Sequence, residues 1–180
     1  TTSSIDRKFL EIAKKQGMDW RCDFESLPIR VASKRSLTID GCTAPPAVAS
    51  SAYSEKYPAS GAIDGSVSLS DWGKGGGWCS APRKDPKQPE FLTLDYGAVR
   101  LFQKLEVYSY PKPQHSLESF VVQAEQAGGW VDLPETRVTD GADATHWTFE
   151  LRPFSARRIR LWITGTRDSM ARVLEVIAEP

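Results

Sequence analysis

Alternating apolar and polar residues over residues 158–163 predict a β-strand with one buried face. Ile159, Leu161 and Ile163 fall on one side, and Arg158 and Arg160 fall on the other. Five more strands are predicted at residues 91–96, 104–108, 119–124, 146–151 and 173–178. Turn-forming residues separate them at Tyr96-Gly97, Pro111-Lys112-Pro113, Gly128-Gly129 and Asp140-Gly141. Short strands without intervening helices predict an all-β fold of two packed antiparallel sheets, a β-sandwich or jelly roll.

The first 45 residues follow a different pattern and are predicted to form an N-terminal extension. Helical periodicity over residues 3–17 predicts a short helix, with Ser3 as its N-cap and Gly17 as its stop. An extended piece is predicted at residues 27–31. The sequence Thr43-Ala44-Pro45-Pro46 is typical of a linker. We therefore place a boundary near residue 45, with the extension (a helical cap or the tail of a preceding domain) at 1–45 and the β-sandwich at 46–180.

Charge and hydropathy exclude several classes of protein. The 23 basic and 23 acidic residues cancel to a net charge of 0, which argues against a nucleic-acid-binding protein. The longest apolar runs are a few residues, so no segment is predicted to span a bilayer. The first residues lack a signal-peptide pattern, so either a signal was removed or the chain is a piece of a larger protein.

No motif for catalysis or for zinc binding is present in the sequence. The sequence contains neither a G-x-S-x-G nor an H-E-x-x-H pattern. Its two histidines are His115 and His146. His146 is interpreted as structural, and His115 is a candidate ligand contact. The three cysteines, Cys22, Cys42 and Cys79, have no C-x-x-C spacing, and they are either all reduced or joined in one disulfide with one thiol left over. Cys79 is interpreted as structural, and we predict that this polypeptide is not an enzyme.

Residues 65–89 form a long connection that carries two tryptophans. Each ring either fills the end of the core or stacks on the flat face of a ligand such as a sugar. The core role is favoured for Trp78, whereas Trp72 is the first candidate for stacking. The glycine-rich run at residues 73–77 lacks both the Walker spacing and a following helix, so a phosphate-binding loop is not predicted.

From Ala49 onward, the chain resembles the discoidin or coagulation factor V/VIII type C family, which includes galactose-binding-like carbohydrate-binding modules. The resemblance rests on motifs in the family's order. They are ASSAYSEKYPA at 49–59, AIDG at 62–65, GWC at 77–79, FLTLDYG at 91–97, FVVQA at 120–124 with GW at 129–130, ARRIRL at 156–161 and LEV at 174–176. It covers about residues 47–180 and implies a β-sandwich.

The resemblance implies a structural calcium ion beside the Asp-Gly turn. The matching positions are the carbonyls of Gly61, Ser66 and Leu69 and the carboxylates of Asp64 and Glu175. Calcium binds six to eight hard oxygens of this mixed kind. The alternative is that Asp64 only caps the turn by accepting backbone N–H groups.

The resemblance also implies that a carbohydrate ligand binds across the loops at one end of the sandwich. The candidates that match family positions are Glu55, Arg167 and either Lys112 or, after a shift of the alignment, His115. The aromatic residues Tyr57, Trp72 and Trp78 complete the set of candidates. Cys79 stands where the galactose binders usually have a histidine, so the galactose signature is broken. By the same resemblance we expect a secreted, extracellular or periplasmic accessory domain that follows a catalytic domain.

Other functions remain open at this stage, the last of them an enzyme whose site is completed elsewhere. A discoidin-type module could bind a protein or a lipid surface through Tyr57, Leu69 and Trp72, although the neutral net charge disfavours membrane binding. The domain could also be a structural spacer without an open site.

Overall fold

The computed structural model describes residues 21–22, 38–39, 42–43, 46–85, 87–141 and 143–180. The chain divides into two compact units, Thr1–Pro46 and Ala47–Pro180. The helix predicted at residues 3–17 and the extended piece predicted at 27–31 lie outside the described residues. Among the residues that are described, no helix is long and apolar enough to cross a membrane.

The described residues of the first unit form three two-residue strands. They are β1 (Arg21–Cys22), β2 (Thr38–Ile39) and β3 (Cys42–Thr43), which pair antiparallel in the order β1-β3-β2. The backbone register places Cys22 directly opposite Cys42.

The part of the second unit that the structure describes contains seven strands. These are β4 (Ala47–Ala49), β5 (Trp78–Cys79), β6 (Glu90–Ser109), β7 (Leu117–Gln126), β8 (Gly129–Asp132), β9 (His146–Thr166) and β10 (Arg172–Glu179). Short 3₁₀ turns lie at Ala59–Ile63, Leu69–Asp71, Pro113–His115 and Pro134–Thr136. All of the strand pairings are antiparallel. The all-β antiparallel prediction is therefore confirmed for this unit.

Two pairs of predicted strands are in fact the two halves of single long strands. Residues 91–96 and 104–108 both belong to β6, and residues 146–151 and 158–163 both belong to β9. The turn predicted at Tyr96-Gly97 is an irregularity inside β6, where the register with β9 shifts between Asp95 and Arg100. Gly97 has a φ of 74°, and its N–H donates to Asp95 Oδ1 over 2.7 Å. The local turn chemistry is present, but it bends a strand instead of ending it.

The bent strands place their halves in the two layers of the sandwich. The first half of β6 lies in a sheet of order β4-β6-β9-β7-β8, and the second half lies in a sheet of order β5-β10-β6-β9. Leu92 and Leu161 of the first layer share one core cluster with Val107 and Val176 of the second. In β9, Ile159, Leu161 and Ile163 are at most 1% exposed, which confirms their prediction as the buried face.

Candidate functional site

A row of five rings runs across one end of the sandwich. Tyr53, Tyr57 and Trp72 come from the β4–β5 connection, and Tyr110 and His115 come from the β6–β7 connection. Successive ring centroids along this aromatic row are 5.9, 5.1, 5.0 and 6.1 Å apart. These separations are typical of favourable aromatic pairs. Tyr53 is 56% exposed, so the row reaches the surface.

The glycine-rich run at residues 73–77 holds Trp72 in place by close packing. Gly77 has a φ of 72°, and a Cβ at this position would lie 2.6 Å from a ring carbon of Trp72. The N–H groups of Gly75, Gly76 and Gly77 donate to the carbonyls of Lys56, Asp71 and Gly61. Because these donors are engaged within the protein, the run does not form an anion-binding cradle, in agreement with the prediction from spacing.

We expect Gly77→Ala to move the Trp72 ring and to weaken ligand binding at this end of the domain. The added Cβ clashes with the ring, and the left-handed backbone adds a cost of about 1–2 kcal/mol. Gly75→Ala is the matched control, because Gly75 also has a positive φ but an added Cβ would meet nothing within 4 Å. Binding by titration calorimetry and Trp fluorescence should change more in Gly77→Ala than in Gly75→Ala. Equal effects would contradict this role for Gly77.

A cluster of charged side chains borders the aromatic row. Asp168 Oδ2 accepts hydrogen bonds from His115 Nδ1 at 2.8 Å and from an Arg172 terminal nitrogen at 2.7 Å. Partial burial raises the pKa of Asp168, but the Met170 N–H, His115 and Arg172 outweigh it and hold that pKa below its ordinary value. Asp168 is therefore ionised at neutral pH, and it ties the β6–β7 connection to the β9–β10 connection.

A pocket of about 100 Å³ lies between the row and this cluster, lined by Tyr53, Tyr57, Trp72, Cys79, Met170 and Arg172. It is smaller than the roughly 300–1,000 Å³ of pockets that enclose a whole ligand. This end of the domain therefore offers a shallow surface that can contact one face or edge of a molecule.

Cys79 lies at this pocket as a free, buried thiol. Burial raises its pKa to about 11, against the smaller opposing effect of Arg172. A thiol with such a pKa is protonated at neutral pH and is a poor nucleophile. The structural interpretation of Cys79 therefore holds.

The structure brings together three of the residues that the sequence suggested for a ligand, namely Tyr57, Trp72 and His115. Glu55 and Lys112 are exposed on the turns that precede Tyr57 and His115. Arg167 contacts Asp140 at 3.1 Å and Glu118 at 3.4 Å, so its charge is already paired at the rim.

Trp78 is not a ligand-contacting residue, so the prediction that included it among the ligand candidates is wrong. Its side chain is fully buried in the core cluster, and its indole N–H donates to the Ser51 carbonyl over 2.8 Å. A ring with no exposed surface cannot stack on a ligand, so the core role is the one that Trp78 has.

Sequence reasoning missed Tyr53, Tyr110, Asp168 and Arg172 as members of this site. Tyr110 directly follows β6, and Arg172 is the first residue of β10. The ends of β6 and β9 and the start of β10 meet at one end of the sandwich. That meeting follows from strand pairing and not from spacing along the chain.

The positions expected to bind calcium surround the turn at Asp64. Glu175 is fully buried in β10, and its Oε2 accepts a hydrogen bond from the Gly65 N–H over 3.1 Å. Asp64 Oδ1 accepts from the Ser66 N–H over 2.8 Å, and the Gly61 carbonyl accepts from the Gly77 N–H over 2.8 Å. In the described part of the chain, no three His, Cys, Asp or Glu side chains group around one metal position. A cation here would therefore depend on backbone carbonyls for most of its ligands.

The profile of the F5/8 type C domain matches residues 46–176 of the chain. The chain belongs to the F5/8 type C family. The match covers the β-sandwich unit and confirms the resemblance seen in the sequence motifs. No curated protein sequence matches this F5/8 type C protein.

Several solved structures share the fold of this F5/8 type C domain. Chitosan-binding module 1 of a chitosanase/glucanase from Paenibacillus sp. IK-5 has a TM-score of 0.59 at 20% identity, over 74% of this chain and 93% of that one. The family 32 carbohydrate-binding module of NanJ from C. perfringens, solved with galactose, has a TM-score of 0.55 at 19% identity, over 73% and 90%. A putative alpha-L-fucosidase from Bacteroides thetaiotaomicron has a TM-score of 0.58 at 16% identity, over 73% of this chain but 26% of that one.

Proposed function

We propose that this F5/8 type C domain is a non-catalytic carbohydrate-binding module that binds sugar at the aromatic row. The observation that carries the proposal is the five-ring row beside the hydrogen-bonded cluster of His115, Asp168 and Arg172. Aromatic rings pack against the C–H face of a sugar ring, and charged or polar groups at the edge bind its hydroxyls. Similar modules in solved structures are described as chitosan-binding or were solved with galactose, which supports a sugar as the ligand.

Each group at the site has a distinct role in this proposal. The exposed part of Trp72 packs against the sugar face, and Tyr53 extends that surface outward. Asp168 accepts hydrogen bonds from hydroxyls, Arg172 donates them, and the Nε2 of His115 accepts one, because the Nδ1–H of this ring is bound to Asp168. The pocket encloses few ligand atoms, so a single sugar unit should bind with modest affinity. Because Cys79 replaces the usual histidine, the proposal does not specify galactose.

The domain acts, in this proposal, as an accessory unit of a larger secreted glycan-processing protein. The alignment with about a quarter of the alpha-L-fucosidase chain supports a module of this size within a longer enzyme.

Titration calorimetry of the full chain with galactose, a chitosan trimer and a neutral glucan trimer tests the proposal. We expect at least one of them to bind, with enthalpy changes that saturate. Liposome sedimentation, with and without anionic lipid, tests the lipid-binding alternative, which the exposure of Val67 and Leu69 at 48% and 43% favours. Binding to liposomes together with failure of all three sugars would replace the sugar proposal with that alternative.

Calcium binding beside Asp64 is a second part of the proposal. Glu175 is fully buried and its Oε2 accepts a hydrogen bond from the N–H of Gly65, the neighbour of Asp64, so a cation beside this turn would contact both carboxylates. The carbonyls of Gly61, Ser66 and Leu69 would complete an all-oxygen set. The Gly61 and Leu69 carbonyls each accept one internal hydrogen bond, but a carbonyl oxygen has a second lone pair.

We expect about 10 mM CaCl₂ to raise the melting temperature by roughly 3–10 °C over EDTA. Calcium at roughly 10 to 100 times its dissociation constant stabilises the folded state by about 1.4–2.7 kcal/mol. For a chain of this size, each kcal/mol raises the melting temperature by about 2–4 °C. Glu175→Gln should remove the calcium-dependent part of the shift, and MgCl₂ serves as the control cation. Identical melting temperatures in CaCl₂ and EDTA would support the alternative that Asp64 only caps its turn.

A further inference from the structure

The outer face of the five-stranded layer carries a second cluster of rings, away from the aromatic row. Arg160 of β9 points outward between two tryptophans, with its guanidinium carbon 4.5 Å from the ring centroid of Trp130 and 4.3 Å from that of Trp162. Phe91 of β6 is the register partner of Trp162, and their rings are nearly parallel at 6.2 Å. The rings hold the guanidinium in one orientation through cation–π contacts.

Arg160 differs from the neighbouring arginines because, among the described residues, no carboxylate is in salt-bridge contact with it. Arg158 pairs with Glu125, Arg157 with Asp95 and Arg137 with Asp132. In the described part of the chain, no Asp or Glu oxygen lies within 4 Å of Arg160, whose Nε donates to Gln123 Oε1 over 2.5 Å. Desolvation by the surrounding groups lowers the pKa of Arg160, although Asp132 partly opposes this effect. The side chain is thus a partly desolvated cation that the two rings hold in place, and no described carboxylate lies within 4 Å of it.

A groove of about 370 Å³ adjoins this arginine. Its lining includes Ser119, Gln123, Asp132, Arg137, Trp162 and Thr164. Gln123 and Trp162 each contact Arg160 and also line the groove, so the cation stands at its edge. This volume lies within the range of about 300–1,000 Å³ for small-molecule sites, which the pocket at the aromatic row does not reach.

The charges in the groove favour an anion with hydroxyl groups. Asp132 is shared by Arg137 and by the Gln123 amide, which donates to it over 2.7 Å. Arg160 therefore adds a positive charge that no described carboxylate contacts directly. An arginine fork binds a planar carboxylate through two parallel hydrogen bonds, and the hydroxyl oxygens of Ser119 and Thr164 can accept from sugar hydroxyls.

We propose that this groove is a second binding site, independent of the aromatic row, for a sugar unit that carries a carboxylate. The carboxylate pairs with the terminal nitrogens of Arg160, and the sugar ring lies along Trp162 in the groove. Its hydroxyls bind Gln123, Ser119 and Thr164. The domain would then bind an acidic polysaccharide at two sites, the aromatic row and the groove beside Arg160.

Titration of the ¹⁵N-labelled full chain with a galacturonic acid trimer tests this second site, with its carboxyl-reduced trimer as the matched ligand control. We expect the acidic trimer to shift the amide signals of residues 119–123 and 160–164, and to bind at least ten times more tightly than the reduced trimer. Arg160→Lys keeps the charge but removes the fork and should weaken binding about tenfold. Arg152→Lys, at a side chain that is 94% exposed, should have no effect.

Trp72→Ala separates the two sites. The affinity of the groove for the acidic trimer should stay within twofold of the wild type in this variant. That expectation holds whether or not the aromatic row binds sugar. The second site is refuted if the acidic trimer does not bind, if the two trimers bind equally, or if the shifted signals lie at residues 53–57 and 110–115 and disappear in Trp72→Ala. The signal mapping uses the wild-type chain, so it remains decisive if Arg160→Lys fails to fold.

Discussion

Replacing Trp72 with alanine is expected to weaken sugar binding at the aromatic row about ten- to a hundredfold. Trp72 is the central ring of the row, with Tyr57 at 5.1 Å and Tyr110 at 5.0 Å. The substitution removes the stacking surface and also the contact that orients both neighbours. Each lost aromatic pair contributes about 0.5–1.5 kcal/mol, and about 1.4 kcal/mol corresponds to a factor of ten in affinity.

The effect of Trp72→Ala can be separated from a general loss of structure. Titration calorimetry gives the affinity, and urea unfolding gives the stability, which should fall by less than about 2 kcal/mol because the ring is partly exposed. Tyr108→Ala is the matched control, since Tyr108 stacks on His146 outside the row. If both variants bind sugar as the wild type does, the aromatic row is not the binding site.

Replacing Trp78 with alanine is expected to lower the free energy of unfolding by about 3–5 kcal/mol. The ring is fully buried, and its removal leaves a cavity between the layers of the sandwich. The Ser51 carbonyl also loses its hydrogen bond from the Trp78 indole N–H, which measures 2.8 Å. Domains of this size are stable by about 5–15 kcal/mol, so the variant should unfold at much lower denaturant concentration.

Trp78→Phe divides this loss into its two causes. Phenylalanine keeps most of the apolar volume but removes the N–H donor, so we expect a smaller loss of about 1–3 kcal/mol. Urea unfolding followed by far-UV circular dichroism measures both variants. A loss below about 1 kcal/mol in Trp78→Ala would mean that the ring does not support the core, and Trp78 would return as a candidate for ligand contact.

The strands could be predicted where one face is buried and the other is exposed. In β9 the alternation of Ile159, Leu161 and Ile163 with Arg158 and Arg160 identified both the strand and its buried side. Residues 96–99 could not be assigned in the same way. An Asp-x-Gly pattern has the same local chemistry in a turn between strands as in a bend within one strand, and the pairing with β9 decides between them.

The candidate site shows a similar division. Tyr57, Trp72 and His115 could be proposed from their positions in turn-rich connections. Asp168 and Arg172 could not, because a charged residue near a strand end has no distinguishing pattern until its partners are known.

The amino-acid sequence alone determined the antiparallel β-sandwich and the turn-rich connections that carry aromatic residues, because periodicity and turn residues act over short stretches of chain. The family followed from the order of its motifs, which the sequence also contains. Only the tertiary structure decided that Trp78 is buried while Trp72 joins a row of five rings. It also decided that Arg160 lies between two tryptophans, with no carboxylate of the described ranges in contact with it. These are contacts between residues far apart in the chain, and strand pairing and packing set them.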